Sequence, residues 1–466
     1  LIAGLMVAAN LGLFLFARLV KPDLLLVLLI LVAFAAFVEV YRGGGRAARL
    51  FFFASLGAAA LAKDILGAIG PLAVVAVFLV IEGGRPALQR FRLWPGLVLL
   101  LAIALPWYAA VEWRNRGFLW YTIVDNHVLN FLQQRAFPDE DVPLTAAEFL
   151  LVTAAGFFPW SLVLPWAVWR AIRGPRDTAE RRLFVLLALW TTGLAGFFTL
   201  SPFKLPHYGL PAFPAMALIV ARLWSDTLDG EDGAPSPAVL LLPAALCFLG
   251  LAVAAFLAWS GYVAIPSDAP PLADVAARNL AARGQDAPFA SAAELRPLLV
   301  KLAIVFGLGA IAVTGALVGR HPLIGLGALL ATMVAFLPIA GDGFTLFAKS
   351  RSVRPLAEAV ALHASADDVL AHEGALENSA SWLMTLDRPV RIVNGLRSNL
   401  AVGASFPDSR DVFWDGSRLA HEWRGPRRVF LLSPVKPSRS AVRELPADQV
   451  HLLREAGGRW LYSNRP

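Results

Sequence analysis

The sequence predicts an α-helical polytopic membrane protein with a C-terminal α/β extracytoplasmic domain. Three observations carry that prediction. Of the 466 residues 58% are hydrophobic and only 16% are charged, with a mean hydropathy of +0.62; soluble domains are about 45–50% apolar and about 25% charged. About eleven apolar runs are long enough to cross a hydrocarbon core of roughly 30 Å. Beyond Ser350 the apolar runs shrink to strand length and alternate with helical patterns.

The runs lie near residues 1–17, 23–41, 47–62, 65–81, 94–111, 147–169, 183–200, 208–224, 238–259, 298–319 and 322–345. The loops between them separate by charge. Arg42, Arg46 and Arg49, then Arg85, Arg90 and Arg92, then Arg170, Arg173, Arg176, Arg181 and Arg182, then Arg222 and Arg320 mark one side. The positive-inside rule makes that side cytoplasmic. The alternate loops, and with an odd span count the tail, then fall outside. The net charge of +7 is thus a topology signal, and no nucleic-acid partner is implied. The single cysteine, Cys247, lies in an apolar run and excludes a disulfide framework. The chain opens apolar at Leu1, with neither a basic n-region nor a cleavage site. That start reads as a point partway through a longer protein rather than as a signal peptide.

The polar constellations gather on the outer face. Leu200–Pro214 reads LSPFKLPHYGLPAFP. Four prolines in so short a stretch cannot continue a helix, because each lacks an N–H and crowds the preceding turn. The chain must break there, and the break holds Lys204, His207 and Tyr208. A second tight turn holds Arg18, Lys21 and Asp23, and a third holds Lys63 and Asp64. Glu112–Ala146 alternates aromatic and apolar residues with Asp125, Asn126, His127 and Asn130, which suits a helix lying in the interface plane. Ionisable residues at a membrane edge are costly, so function is the default reading. Plainer readings exist for each: a snorkelling Lys204, a Tyr208 anchor, an Asp23 N-cap, a Lys63–Asp64 surface pair, a wet Asp125–His127 pair.

In the tail, Pro355–His363 reads as a helix. Asp368–Glu373, Pro389–Val393, Arg428–Leu432 and Arg459–Tyr462 read as strands, with helical patterns at Glu377–Thr385 and Ala447–Glu455 between them. Residues 1–349 then form the transmembrane domain and residues 350–466 the α/β domain. No P-loop or GxGxxG stands in the tail, so no nucleotide site is supported.

Four segments together resemble the polyprenyl-phosphate-dependent glycosyltransferases of the GT-C membrane fold, the bacterial aminoarabinose transferases of lipid A and protein O-mannosyltransferase-like proteins in particular. They are Ala17–Leu25 (ARLVKPDLL), Ala62–Gly70 (AKDILGAIG), Asp125–Phe131 (DNHVLNF) with Gly156–Pro165 (GFFPWSLVLP), and the SPFKLPHYGLPAFPA block that matches the family's Lys-Leu-Pro-x-Tyr-x-Leu-Pro. The chain departs from the family in reading Lys63–Asp64 for Lys-Gly and in placing Asn130 where an arginine is usual. The family's main catalytic carboxylate lies in a first outer loop that would precede Leu1.

The resemblance implies transfer of a sugar from a polyprenyl-phosphate donor to a lipid A-like glycolipid or a protein hydroxyl, at the outer face of the bacterial inner membrane. A departing lipid phosphate carries negative charge, so fixed cations should meet it. Lys63, Lys204 and Arg18 are the candidates for donor phosphate binding. Asp23 is the candidate catalytic carboxylate, with an orienting role. Tyr208, His207, His127 and Asp125 are candidate substrate contacts. Some members of the family hold a divalent cation near the His127 loop, with Asp125 or Glu148 as the candidate partners here, but the spacing matches no recognised ligand pattern and no metal ligands are assigned. Two rivals follow from the same residues: a transporter of lipid-linked sugar, and a non-catalytic member of the family.

Overall fold

Glycine, proline and charge decide where the apolar runs stop being helices. A computed structural model describes the chain except residues 84–88, 90, 139–141, 174–176, 232–233, 265–273 and 377–378. Arg85, Arg90, Arg176 and Glu377 lie outside the described residues. The chain divides into two units. The first comprises Leu1–Leu119, Leu144–Ile265 and Arg296–Asp342; the second comprises Trp120–Pro143, Pro266–Leu295 and Gly343–Pro466.

The first unit is helical. Among the described residues six helices are long and apolar enough to cross a membrane: Asp23–Tyr41 (α3), Leu93–Arg114, Thr178–Leu200, Pro237–Ser260, Ala292–Val318 and Pro322–Ser350. The chain is a multi-pass membrane protein. The remaining apolar runs are shorter or interrupted. The first is split into Ile2–Ala8 (α1) and Leu11–Phe16 (α2), and between them the Asn10 side chain accepts the Leu13 N–H at 2.9 Å. The run near 147–169 is two helices, Ala146–Gly156 and Leu164–Arg173, parted by the Phe157–Val163 turns. Arg46–Ala62 (α4) packs between α3 and Leu93–Arg114, and Leu66–Phe78 (α5) packs on α4. Aromatic rings fill the space between helices: Phe34 stacks on Trp190 at 4.0 Å, and Phe37 on Phe91 at 5.2 Å.

At one end of this unit, carboxylates meet the arginines. Glu82 accepts from Arg181 at 2.7 Å, and Arg222 reaches Glu180 at 2.8 Å and Asp226 at 3.2 Å. These contacts join the π-helical turn Leu79–Gly83, the helix Thr178–Thr191 and the helix Phe213–Leu228.

The second unit is built on a six-stranded sheet of order β3-β2-β1-β4-β6-β5. Val369–Glu373 (β1), Val390–Val393 (β2), Phe413–Trp414 (β3) and Val429–Ser433 (β4) are parallel; His451–Ala456 (β5) and Arg459–Ser463 (β6) form an antiparallel hairpin against β4. One face carries Val369, Ala371, Leu431, Trp460 and Tyr462 under Trp423; the other carries Leu370, Phe430, Leu432 and Leu461 under Leu356, Val360 and Trp382. The helix expected at Ala447–Glu455 is corrected to a short 3-10 turn followed by β5. Gly457 and Gly458, at φ +62 and +69, close the hairpin in a conformation that favours glycine. Residues 274–291 fold onto the sheet domain: Arg351 grips Asp274 with both nitrogens, at 3.1 and 2.7 Å.

Two polar side chains at the end of β1 are fully committed. The buried Glu373 carboxylate accepts from Ser433 at 2.5 Å, Ser440 at 2.6 Å and the Ala441 N–H at 2.8 Å. His372, wholly buried, meets the Gly374 carbonyl at 3.0 Å and the Ser379 hydroxyl at 2.9 Å. Burial pushes its imidazole down to about 4. The folded unit therefore binds fewer protons than the unfolded chain, and its stability is present above the unfolded value of about 6.5 and lost as pH falls from there toward 4. The thermal midpoint of this unit should drop between pH 6.5 and 4 by the equivalent of about 3 kcal/mol, and His372→Asn should flatten that part of the profile.

Candidate active site

Three helix ends converge in the first unit. Pro22 fixes the entry to α3, so Asp23 is its first residue and is buried. The Asp23 carboxylate makes no capping hydrogen bond to its own helix. It meets Lys63 Nζ at 2.5 Å instead. Lys63 is the residue after α4, where a cation suits the carbonyl end of the helix. Its neighbour Asp64 is engaged otherwise, accepting the Leu66 N–H at 2.8 Å at the start of α5. The surface pair Lys63–Asp64 is thus replaced by a pair that clamps α3 to α4 across 40 residues of sequence.

The proline-rich break forms the third side. The helix ends at Leu200, Pro206–Ala212 makes a 3-10 turn, and a new helix begins at Phe213. Two contacts pin the turn. Trp190 donates its indole N–H to the Pro211 carbonyl at 2.9 Å. Gly209 presses on the helix Ala146–Gly156 so closely that a Cβ there would stand 2.7 Å from Thr153 Oγ1. The turn brings His207 to 3.8 Å from Asp23, and Tyr208 places its ring 4.8 Å from Lys63 Nζ, a cation–π distance. Phe198 packs on the other side of Tyr208 at 4.5 Å, and Phe16 lies 5.6 Å from His207.

The electrostatics favour an anion. Burial, then the charges of Lys63 and Lys21, push the His207 imidazole down to about 2. Asp23 is near, but its charge is met by Lys63, so His207 is neutral. Lys21 is held below the ordinary lysine value by crowding and by Lys63, against the opposing pull of Asp23. Lys204 is buried, with 6% of its surface exposed. Its main-chain carbonyl accepts the Leu144 N–H at 3.3 Å. Its ammonium has no hydrogen-bond or ion-pair partner among the described residues.

The other sequence candidates are placed differently. Arg18 is exposed and turned back on its own helix, with its guanidinium 3.4 Å from the Phe14 ring and donating to the Phe14 carbonyl at 3.0 Å. Asp125 and His127 belong to the second unit, on a π-helical stretch Trp120–Leu129 where a regular amphipathic helix was expected. Asp125 is fully buried and accepts from Arg135 at 3.2 Å and the Ala136 N–H at 2.6 Å. Glu148 completes a capping box with Thr145. Among the described residues no group of three His, Cys, Asp or Glu could hold a metal. Sequence reasoning named Lys21 without giving it a role and passed over Arg135. Lys21 carried a signal, since it shares the Asp23 turn; Arg135 stands ten residues from its partner in a loop of undefined course.

Comparison with known proteins adds the following. No family model matches the chain. It is 28% identical over 190 residues to an undecaprenyl phosphate-alpha-4-amino-4-deoxy-L-arabinose arabinosyl transferase of Pseudomonas fluorescens, covering 40% of this chain and 32% of that protein. The transferase of the same name from Pseudomonas aeruginosa PAO1 is 29% identical over 220 residues, covering 46% and 38%. That of Sodalis glossinidius is 35% identical over 139 residues, covering 30% and 24%. The chain spans about a third of the length of the first of these relatives. Crystal structures of ArnT from Cupriavidus metallidurans superpose on 99% of the chain and 78% of theirs at 18% identity, with TM-scores of 0.77 for the form bound to undecaprenyl phosphate and 0.73 for the apo form.

Replacing Lys63 by Met should leave the Asp23 carboxylate buried without its counter-charge and cost about 3 kcal/mol. Combining it with Asp23→Asn should recover a large part of that loss, read as the melting temperature of the detergent-solubilised protein. The chain is a polytopic membrane protein with the ArnT fold.

Proposed function

We propose that the chain is a glycosyltransferase that moves a sugar from a polyprenyl-phosphate donor to an envelope acceptor, a lipid A-like glycolipid or a protein hydroxyl. It works in the bacterial inner membrane with its site and α/β unit on the periplasmic side. The observation that carries the reading is Lys204, a buried residue whose side chain has no partner among the described residues, beside a turn that also delivers His207 and Tyr208 to the Asp23–Lys63 pair. The ArnT fold and the matching arabinosyl transferases support it.

The roles follow from charge. In a displacement at the anomeric carbon the lipid phosphate leaves with the bonding electrons. Lys204 and Lys63 would neutralise it, and Lys21 raises the local positive potential. Asp23 is a poor general base while it is salt-bridged to an ammonium, so its role is to orient Lys63. Neutral His207 offers one ring nitrogen as donor and one as acceptor, which suits a sugar or acceptor hydroxyl. Tyr208 backs Lys63 with its ring. Arg18, on the outer turn, would meet the phosphate only by leaving Phe14. Asp125, held by Arg135, would support the loop that carries His127.

In reconstituted transfer from undecaprenyl-phosphate aminoarabinose, Lys204→Ala should lower the rate about a hundredfold or more while expression and melting temperature are kept or rise. Retention of near-normal turnover by Lys204→Ala would remove that residue from the site. Donor binding should weaken in Lys63→Ala more than acceptor binding; equal losses would refute the donor role.

A further inference from the structure

A second group of charges in the first unit is carried by the helices Ala292–Val318 and Pro322–Ser350. Lys301 Nζ lies 3.5 Å from the Asp342 carboxylate, and the two side chains are 54% and 59% exposed. From Lys301 to Val318 the first helix rises about 26 Å, and from Pro322 to Asp342 the second rises about 30 Å, at 1.5 Å per residue. The two helices are joined by the turn that carries Arg320. The pair therefore stands at the opposite edge of a hydrocarbon core of roughly 30 Å from that turn. Ionisable residues at such an edge are costly without a task.

Arg18 joins this group from the turn before α3. A Cβ on Gly341 would stand 3.4 Å from Arg18 Nε and 3.6 Å from the Phe14 ring. The missing side chain lets both pack on the helix Pro322–Ser350, one residue before Asp342. A guanidinium carries five N–H donors, and the Phe14 carbonyl takes one of them. Arg18, Lys301 and Asp342 together carry a single net positive charge. The helix face that continues from Lys301 is apolar. Ile304, Leu308 and Ile311 follow at i+3, i+7 and i+10, and all three are exposed. An ammonium thus crowns a stripe of side chains turned toward lipid.

We infer that Arg18 and Lys301 hold the phosphate of an anionic bilayer lipid whose acyl chain lies along the Ile304–Leu308–Ile311 face. This lipid is not the sugar donor: its site includes neither Lys63 nor Lys204, and it stands whether or not the proposed transfer reaction does. The cations lie at headgroup height, where a guanidinium can take a phosphate with two N–H groups and an ammonium adds a point charge. A free phosphate would have no use for the apolar stripe that continues from Lys301. Asp342 opposes the anion, since its carboxylate competes for Lys301. As a fastening between two helices, an ion pair so exposed to its surroundings contributes little. A headgroup held by Arg18 braces the turn that also carries Lys21 and Asp23.

The test titrates phosphatidylglycerol and phosphatidylcholine with identical acyl chains into the detergent-solubilised full chain and counts bound lipid by native mass spectrometry. The unsubstituted chain should prefer phosphatidylglycerol. Lys301→Gln and Arg18→Gln should each weaken it about fivefold and leave phosphatidylcholine unchanged, whereas Asp342→Asn should strengthen it. All three positions are exposed, so the variants should keep the melting temperature of the parent. Equal losses in Lys301→Gln and Asp342→Asn would make the pair a mere fastening and overturn the site, as would the absence of any preference between the two lipids. Lys204→Ala should leave phosphatidylglycerol binding unchanged; a loss there would mean that the lipid reads the donor site and that no separate one exists. Displacement of the lipid by inorganic phosphate would mark a free-phosphate site and overturn the lipid assignment.

Discussion

The first unit depends on one partly buried ion pair. Asp23 and Lys63 stand at the ends of two packed helices, an acid at the start of one and a cation at the close of the other, as the helix dipoles favour. Brought together, the carboxylate is satisfied by the ammonium, and the ammonium by the carboxylate and the Tyr208 ring. The pair therefore fixes three chain segments at once: the turn before α3, the turn after α4 and the break before the helix Phe213–Leu228. His207 is kept neutral in its shadow, and Lys204 is left as the buried cation without a partner among the described residues.

That arrangement separates two duties that lysines at a phosphate site must share. A lysine already paired with a carboxylate is geometrically fixed but electrostatically reduced. A lysine without a partner is electrostatically strong but costly to fold around. Lys63 is the first kind, and among the described residues Lys204 is of the second. A lipid phosphate placed between them would find one cation that holds its geometry and another that gains most from its charge.

Much of this was legible in the sequence because proline and charge act locally. The break at Leu200–Pro214 follows from four prolines, and the structure ends a helix at Leu200 and restarts one at Phe213. The strands β1, β2, β4 and β6 follow from short apolar runs bounded by turns. Choices that depend on distant partners were not legible. Lys63 has an acidic neighbour in sequence yet pairs with Asp23, because the backbone at the end of α4 turns Asp64 toward the Leu66 N–H. Arg18 shares a turn with Asp23 yet folds onto Phe14, since an exposed guanidinium gains more from its own helix than from a carboxylate already filled. His451–Ala456 has paired leucines and charges that suit a helix; only the diglycine turn and the neighbouring β6 make it an edge strand. β3, two residues long, leaves no periodic trace. The run near residues 1–17 conceals a break because Asn10 caps the second half, an effect of one polar side chain in an apolar stretch.

The close approach of Gly209 to Thr153 has a consequence for how this protein can vary. Position 209 tolerates no side chain while threonine faces it, but position 153 can shrink to serine or alanine without a clash. Natural drift at this contact is therefore one-directional: the helix side must give way first, and only then can the turn acquire bulk. A lineage carrying a larger residue at 209 should already have lost its branched neighbour, since the opposite order would meet the Thr153 side chain.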